Sequence, residues 1–182
     1  MFFKVKTSEE VLKILEEFGP VGQEEVSLEK ALGRTLNHDI ISPEDLPGFF
    51  RSSVDGYAVK AKDTFGATES LPALLDMAGG EVIMGQTPTI AISSGQAVKI
   101  STGGMLPEGA DGVIMLEYCH LLDDETIEVS RAISPLENVI RPDDDFKKEA
   151  MVLKKGSVLR SQDLGVMAGL GLSRISVYKR PR

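Results

Sequence analysis

Asp55 stands where a loop turns into a strand. Pro47-Gly48 punctuates the backbone and leads into polar Arg51-Ser52-Ser53, while Tyr57-Ala58-Val59 begins a β-like run. A carboxylate at such a junction is held by a rigid element yet faces solvent or a ligand, and Gly56 beside it leaves room for close backbone approach. An Asx turn, in which the aspartate only caps its own loop, produces the same pattern and is the commoner origin on spacing alone. The second candidate is Ile100-Ser101-Thr102-Gly103-Gly104-Met105-Leu106-Pro107. Here a strand runs into Thr102, and two glycines allow a tight turn that can present backbone N–H groups and a hydroxyl to an anion. An ordinary glycine-rich turn is again the commoner reading. The third is Arg141-Pro142-Asp143-Asp144-Asp145, whose clustered carboxylates are the ligand type a hard cation such as Mg2+ takes, although such runs are usually solvated turns.

Other chemistries find little support. The two histidines, His38 and His120, lie in nondescript strand or loop settings, and no Ser/His/Asp combination or Walker-type loop is present. Cys119, the single cysteine, cannot form an internal disulfide, which fits a reducing cytosol. Cys119-His120 without further ligands is no zinc site, so Cys119 reads as a small apolar residue. A net charge of −8 and the absence of Trp argue against nucleic acid and anionic lipid as partners. No apolar run approaches the ~18 residues of a membrane span, and the Met1-Phe2-Phe3-Lys4 start lacks the features of a signal peptide. A cytoplasmic protein with no membrane partner is expected.

The elements that must position these residues are legible in outline. Thr7-Ser8-Glu9-Glu10 is a capping-box signature ahead of a helix bearing Val11, Leu12, Ile14, Leu15 and Phe18, with Gly19-Pro20 as its stop. That apolar stripe reads as a packing face, not a cofactor box. Ser27 reads as the cap of a short helix over 28–32 ended by Gly33, followed by a strand over 36–41. From Val54 to about Ser134 short apolar runs alternate with Gly, Pro, Ser and Asp, predicting strands at 56–59, 73–75, 89–92, 97–100, 112–116 and 126–129. Residues 64–70 and Gly79-Gly80 read as loops, and Asp123-Asp124-Glu125 as a solvated hairpin tip. Strands near Val139, at 151–153 and at 158–159 follow, then a helix capped at Ser161 and ended by Gly169-Leu170-Gly171, then a strand over 174–178. Gly169 and Gly171 close a helix instead of opening one, so they are no dinucleotide fingerprint.

At 182 residues the chain has room for one or two domains. The fold class expected is mainly β with α. The middle, residues 47–134, reads as a small β-barrel or sandwich inserted into a discontinuous α+β domain made of 1–46 and 135–182.

Three stretches together resemble one family. Ser52-Ser53-Val54-Asp55-Gly56-Tyr57-Ala58 resembles the SxMDGYA signature of the molybdopterin molybdenumtransferases, the MoeA and gephyrin E-domain family. Thr102-Gly103, Pro107, Gly109-Ala110-Asp111 and Glu117 are similar to its TGAxxPxGAD…E signature, and Asn138 to Asp145 with Lys155-Gly156 to a third stretch. Val54 stands where Met is usual, Gly104 where Ala is, Asp143 where a glycine is, and Ile140 where an Arg is. Ile175-Ser176-Val177-Tyr178-Lys179-Arg180-Pro181 resembles the segment that precedes that family's main molybdopterin-binding domain.

The resemblance implies the N-terminal portion of an enzyme that inserts molybdate into adenylylated molybdopterin with Mg2+, a portion expected to be inactive alone. It implies an elongated discontinuous domain with the β-barrel-like insertion, a homodimer, and C-terminal domains of the parent chain as further partners. Asp55 and Thr102 match family positions lining the active cleft, and Asp145 matches a third, acidic one. On this basis Asp55 and Thr102 are the expected catalytic residues and Asp55 a ligand for Mg2+. Ser52, Gly103, Gly104 and Asp145 are expected to bind substrate, Thr102 with the Gly103 and Gly104 amides holding an oxyanion. Two alternatives stand beside this: a dimerisation or scaffold module of gephyrin-like type without catalysis, and a stand-alone ligand-binding protein with Gly103-Gly104 as its anion site.

Overall fold

The structure, a computed structural model, describes residues 5–19 and 21–181. Residues 1–4, Pro20 of the expected helix stop, and Arg182 lie outside the described residues. The chain divides into two compact units, one running up to Pro43 and resuming at Glu149, the other spanning Glu44–Lys148. The resumption falls later than residue 135 because the intervening stretch pairs inside the inserted unit. Val139 and Ile140 face Ser52 and Arg51, and the Phe146 N–H reaches Leu46 O at 3.0 Å.

The discontinuous unit holds α1 (Ser8–Glu16), β1 (Gln23–Ser27) and β2 (Ile40–Ile41), and after the insertion β11 (Met151–Leu153), α2 (Ser161–Gly169) and β12 (Arg174–Tyr178). β1 pairs antiparallel with β12, and β2 with β11. Leu36, Leu159, Met167 and Val177 form its buried centre. The capping box of α1 is formed: the Thr7 N–H donates to Glu10 Oε2 at 2.8 Å, and the Glu10 N–H returns to Thr7 Oγ1 at 3.3 Å. No residue of α1 is buried, however, and Leu12, Leu15 and Phe18 are exposed. The stripe read as a packing face is therefore uncovered among the described residues.

Three local expectations are corrected here. The helix after Ser27 is a single 3-10 turn, Leu28–Lys30, without a Ser27 side-chain cap, because the Leu28 and Gly33 N–H groups go to Ser173 O and Leu159 O. The strands expected over 36–41 and 158–159 shrink to β2 and isolated bridges, Thr35 to Val158 and Leu36 to Val177. The cap of α2 falls on Arg160, whose N–H donates to Asp163 Oδ2 at 2.9 Å.

The inserted unit is built on a curled half-barrel sheet of six strands. Its elements are β3 (Arg51–Ser52), β4 (Gly56–Val59), β5 (Ala73–Val82), β6 (Gln96–Ile100), β7 (Gly112–Met115), β8 (Cys119–Leu121), β9 (Thr126–Val129) and β10 (Val139–Ile140). The sheet order is β7-β4-β6-β5-β9-β8, antiparallel except between β5 and β6, and β3 pairs separately with β10. Alternate residues serve two apolar layers: Tyr57, Val59, Ala97 and Ile114 on one face, Ala58, Val98, Ile100 and Val113 on the other. A sheet buried on both faces needs continuous apolar runs, which is what β4 and β7 supply.

Gly79 and Gly80 lie within β5, not in a loop. Both take positive φ, 75° and 71°, and the β5–β6 register shifts between Met77 and Glu81, so the pair makes a bulge that bends the strand without ending it. Residues 89–92, expected as a strand, make only one bridge, from Ala91 to Glu108.

Candidate functional site

The β4–β6 register puts Gly56 opposite Ile100. The residues just before Gly56 and just after Ile100 therefore meet at one end of the sheet. Before β4, the Ser52 hydroxyl donates to Val54 O at 2.5 Å and accepts the Val54 N–H at 3.2 Å, tying the turn shut. The Ser53 N–H goes to Asn138 O, and Asp55 O accepts the Leu116 N–H. Asp55 thus sits on a fixed backbone with its side chain exposed.

Thr102 closes on it. The Thr102 N–H lies 2.7 Å and its Oγ1 2.9 Å from the same carboxylate oxygen, Asp55 Oδ1. Oδ2 takes neither bond. The Thr102 amide first, then its hydroxyl, hold the Asp55 carboxyl below the usual carboxylate range against the opposing effect of burial, with the charge of Lys99 as a lesser help. Lys99 in turn lies 3.4 Å from Glu81 Oε1, which also accepts the Ser101 hydroxyl at 3.3 Å. The arrangement is a fixed, ionised carboxylate able to accept a proton, a hydrogen bond or a cation.

The oxyanion reading of the glycine turn does not survive the geometry. The Gly103 N–H donates to Ser52 O at 2.8 Å, the Gly104 N–H to Ser101 O at 2.9 Å, and both donors of Thr102 face Asp55. With those donors engaged, the turn holds Asp55 and β3 in place and presents none of these amides outward. Ser52 is fully buried, which leaves it a positioning role through Val54 and not a substrate contact.

Asp145 lies against Arg51. Its N–H goes to Leu46 O, and its carboxylate lies 3.6 Å from Arg51 Nη2. Asp144 accepts the Arg141 N–H at 2.8 Å and Asp143 faces Lys147 at 3.5 Å, so the three neighbouring aspartates turn to separate partners. Among the described residues no three His, Cys, Asp or Glu side chains are grouped to hold a metal ion. Asp55 offers Mg2+ one carboxylate, and the described residues do not by themselves make up such a site.

Arg51, Lys99 and Glu81 are the neighbours that sequence reasoning missed. Only alternation along β6 hinted that Lys99 and Ser101 share a face. A pocket of about 150 Å3 adjoins the turn, lined by Phe49, Gly85, Gln86, Thr87, Gly103 and Met105. Two larger clefts, of about 350 and 330 Å3, belong to the discontinuous unit and hold none of these residues.

Fold and site together define a mainly β, two-unit protein that presents an ionised carboxylate, locked by a threonine, at the mouth of a half-barrel. Residues 6–171 match the MoeA N-terminal region, domains I and II, and the chain belongs to that family. A Methanocaldococcus jannaschii protein named for molybdopterin biosynthesis is 43% identical over 85% of this chain and 36% of its own length. The molybdopterin molybdenumtransferase of Haemophilus influenzae is 36% identical over 92% of this chain and 40% of its own. The crystal structure of a molybdopterin biosynthesis MoeA protein from Pyrococcus horikoshii superimposes with a TM-score of 0.89 at 37% identity, over 98% of this chain and 47% of that one. The chain thus spans less than half the length of these relatives. Among the described residues no helix is long and apolar enough to cross a membrane.

Proposed function

We propose that this chain supplies a substrate-facing surface for the insertion of molybdate into adenylylated molybdopterin, in the cytoplasm, as part of a larger active assembly. The observation that carries the reading is the Asp55–Thr102 pair, formed by residues 47 positions apart in a family whose relatives include proteins named molybdopterin molybdenumtransferase. Asp55, kept ionised by Thr102, accepts a proton or a hydrogen bond from bound substrate at Oδ2. Thr102 is a positioning residue, since its donors are spent on Asp55. More than half the length of those relatives lies outside the match, and the reading assigns the remaining substrate contacts to such a region.

The test is a hybrid in which this chain replaces the matching part of the Haemophilus influenzae relative. Asp55→Asn is expected to lower cofactor formation by about 100-fold, the scale of a lost acid–base group, without unfolding the hybrid. Thr102→Ala is expected to lower it by roughly 10-fold, the worth of one hydrogen bond to a charged group. Unchanged rates in both variants remove the assignment.

The uncovered face of α1 favours a second reading, a dimerisation or scaffold module whose partner is a second copy of the chain. Val11, Leu12, Leu15 and Phe18 are all exposed on that face. Self-association abolished by charge placed on α1, with cofactor formation in the hybrid indifferent to Asp55→Asn, would favour scaffolding over catalysis.

A further inference from the structure

We propose that the pocket beside the Gly103 turn takes a flat heteroaromatic ring, and that Arg51 takes the phosphate this ring carries. The inference rests on the reading above in regarding the substrate as a phosphorylated heterocycle. It adds where on this chain that part would sit.

The pocket has the chemistry of a ring slot. Phe49 supplies an aromatic face and Met105 a polarisable thioether, while Gln86 and Thr87 supply an amide and a hydroxyl able to read a ring edge. Gly85 and Gly103 sit at φ of 82° and 79°, conformations suited to glycine, and leave their stretches of wall without side chains. Phe49 is exposed to 40%, so its ring is available. About 150 Å3 admits a ring system and not a whole nucleotide, so a phosphate attached to the ring must lie outside.

Arg51 is the cation that faces Met105 of the pocket wall across a strand pair. It bridges Met105, flanked by the Leu106 N–H to Phe50 O and the Ser52 N–H to Gly104 O. Arg51 and Met105 are therefore a facing pair without mutual bonds, the arrangement in which side chains on one face come closest. The guanidinium is under-satisfied. Its Nε is buried with no hydrogen-bond partner, and its Nη2 lies 3.6 Å from Asp145, longer than a charge-assisted hydrogen bond. Phosphate oxygens can accept from the Nη groups of this planar fork, its buried Nε being out of a ligand's reach. The exposed, loosely held Asp145 carboxylate is a weak competitor. In a chain of net charge −8, an anion needs a local cation of this kind.

The ring could belong to the nucleotide or to the pterin half of the substrate, so the experiment uses both. The 182-residue chain is titrated by calorimetry with adenosine monophosphate and, separately, with a hydroxymethylpterin monophosphate. Saturable binding of one is expected, weakened by about 10-fold in Phe49→Ala, the scale of one lost ring stack. Arg51→Gln is expected to weaken it by roughly 10-fold, and to leave binding of the same ring without phosphate unchanged. Gln86→Ala, at another lining residue, serves as an independent variant should either substitution disturb folding. No saturation at millimolar ligand, or binding indifferent to Phe49, Gln86 and Arg51, overturns the proposal. Should that occur while Asp55→Asn still abolishes transfer in the hybrid, the pocket fails and the molybdate reading stands. Ring binding that depends on Phe49 and Arg51, with transfer indifferent to Asp55, gives the reverse.

Discussion

Thr102 gives both of its hydrogen-bond donors to one oxygen of Asp55, the amide at 2.7 Å and the hydroxyl at 2.9 Å. The carboxylate is thereby oriented and kept charged, while the glycine turn is pinned to the end of the half-barrel.

That pairing predicts how Asp55 titrates. Its carboxyl should titrate below the ordinary aspartate value of 3.8, and Thr102→Ala should raise it partway, because the backbone amide still donates. The sign for stability follows from a depressed folded value. The bonds stabilise the fold above the unfolded pKa, and that contribution is lost as pH falls through the lower, folded one. Carbon-13 NMR of the Asp55 carboxyl across the acid range checks both points. A wild-type value equal to that of the Thr102→Ala variant would contradict them.

Gly56 is a residue the half-barrel cannot change. A Cβ there would lie 1.8 Å from Ile114 O, on the adjacent strand β7, so even alanine forces β4 and β7 apart. Gly56→Ala should cost about 3 kcal/mol, at the upper end of overpacking penalties, as read by urea denaturation. The close approach expected at Gly56 is thus made by its own neighbouring strand.

Cys119 should be inert. Burial, with help from the Glu117 charge, pushes its thiol up to about 12, and the thiol donates to Met115 O at 3.5 Å. Near neutral pH this leaves about a thousandfold less thiolate than an ordinary cysteine, and modification by a disulfide reagent should be slow until urea unfolds the chain. Rapid labelling of the folded protein would contradict the placement.

The face of α1 should be dispensable to the chain's own stability. Leu12→Gln with Leu15→Gln removes apolar side chains that are 59% and 57% exposed. The change in unfolding free energy should stay within about 0.5 kcal/mol, as for other surface substitutions. If the homodimer proposed above uses this face, the same double variant should weaken self-association in sedimentation equilibrium.

What the sequence made legible was local. The capping box before α1, the apolar runs of β4, β6, β7 and β9, and the loop-to-strand junction at Asp55 all follow from neighbouring residue types. The motifs that mark Asp55 and Thr102 named the pair but not the bond between them, which depends on the β4–β6 register. The Gly103 and Gly104 amides were visible as donors, but their acceptors on Ser52 and Ser101 were not, and the oxyanion reading fell on that point. Gly79-Gly80 looked like a break because glycine punctuates locally, whereas pairing with β6 on either side of the bulge carries the strand through. Arg51 was passed over since its meaning comes from Met105 and Asp145, more than 50 residues away. Periodicity gave α1 an apolar face, but periodicity says nothing about what covers it.

The Asp55 carboxylate either takes part in chemistry or merely closes its own turn. The most direct measurement is molybdenum cofactor formed per mole of folded hybrid, comparing the native residue with Asp55→Asn. A fall of about 100-fold at unchanged melting temperature is the predicted result. Equal yields from the two proteins would contradict it and leave Asp55 a structural cap.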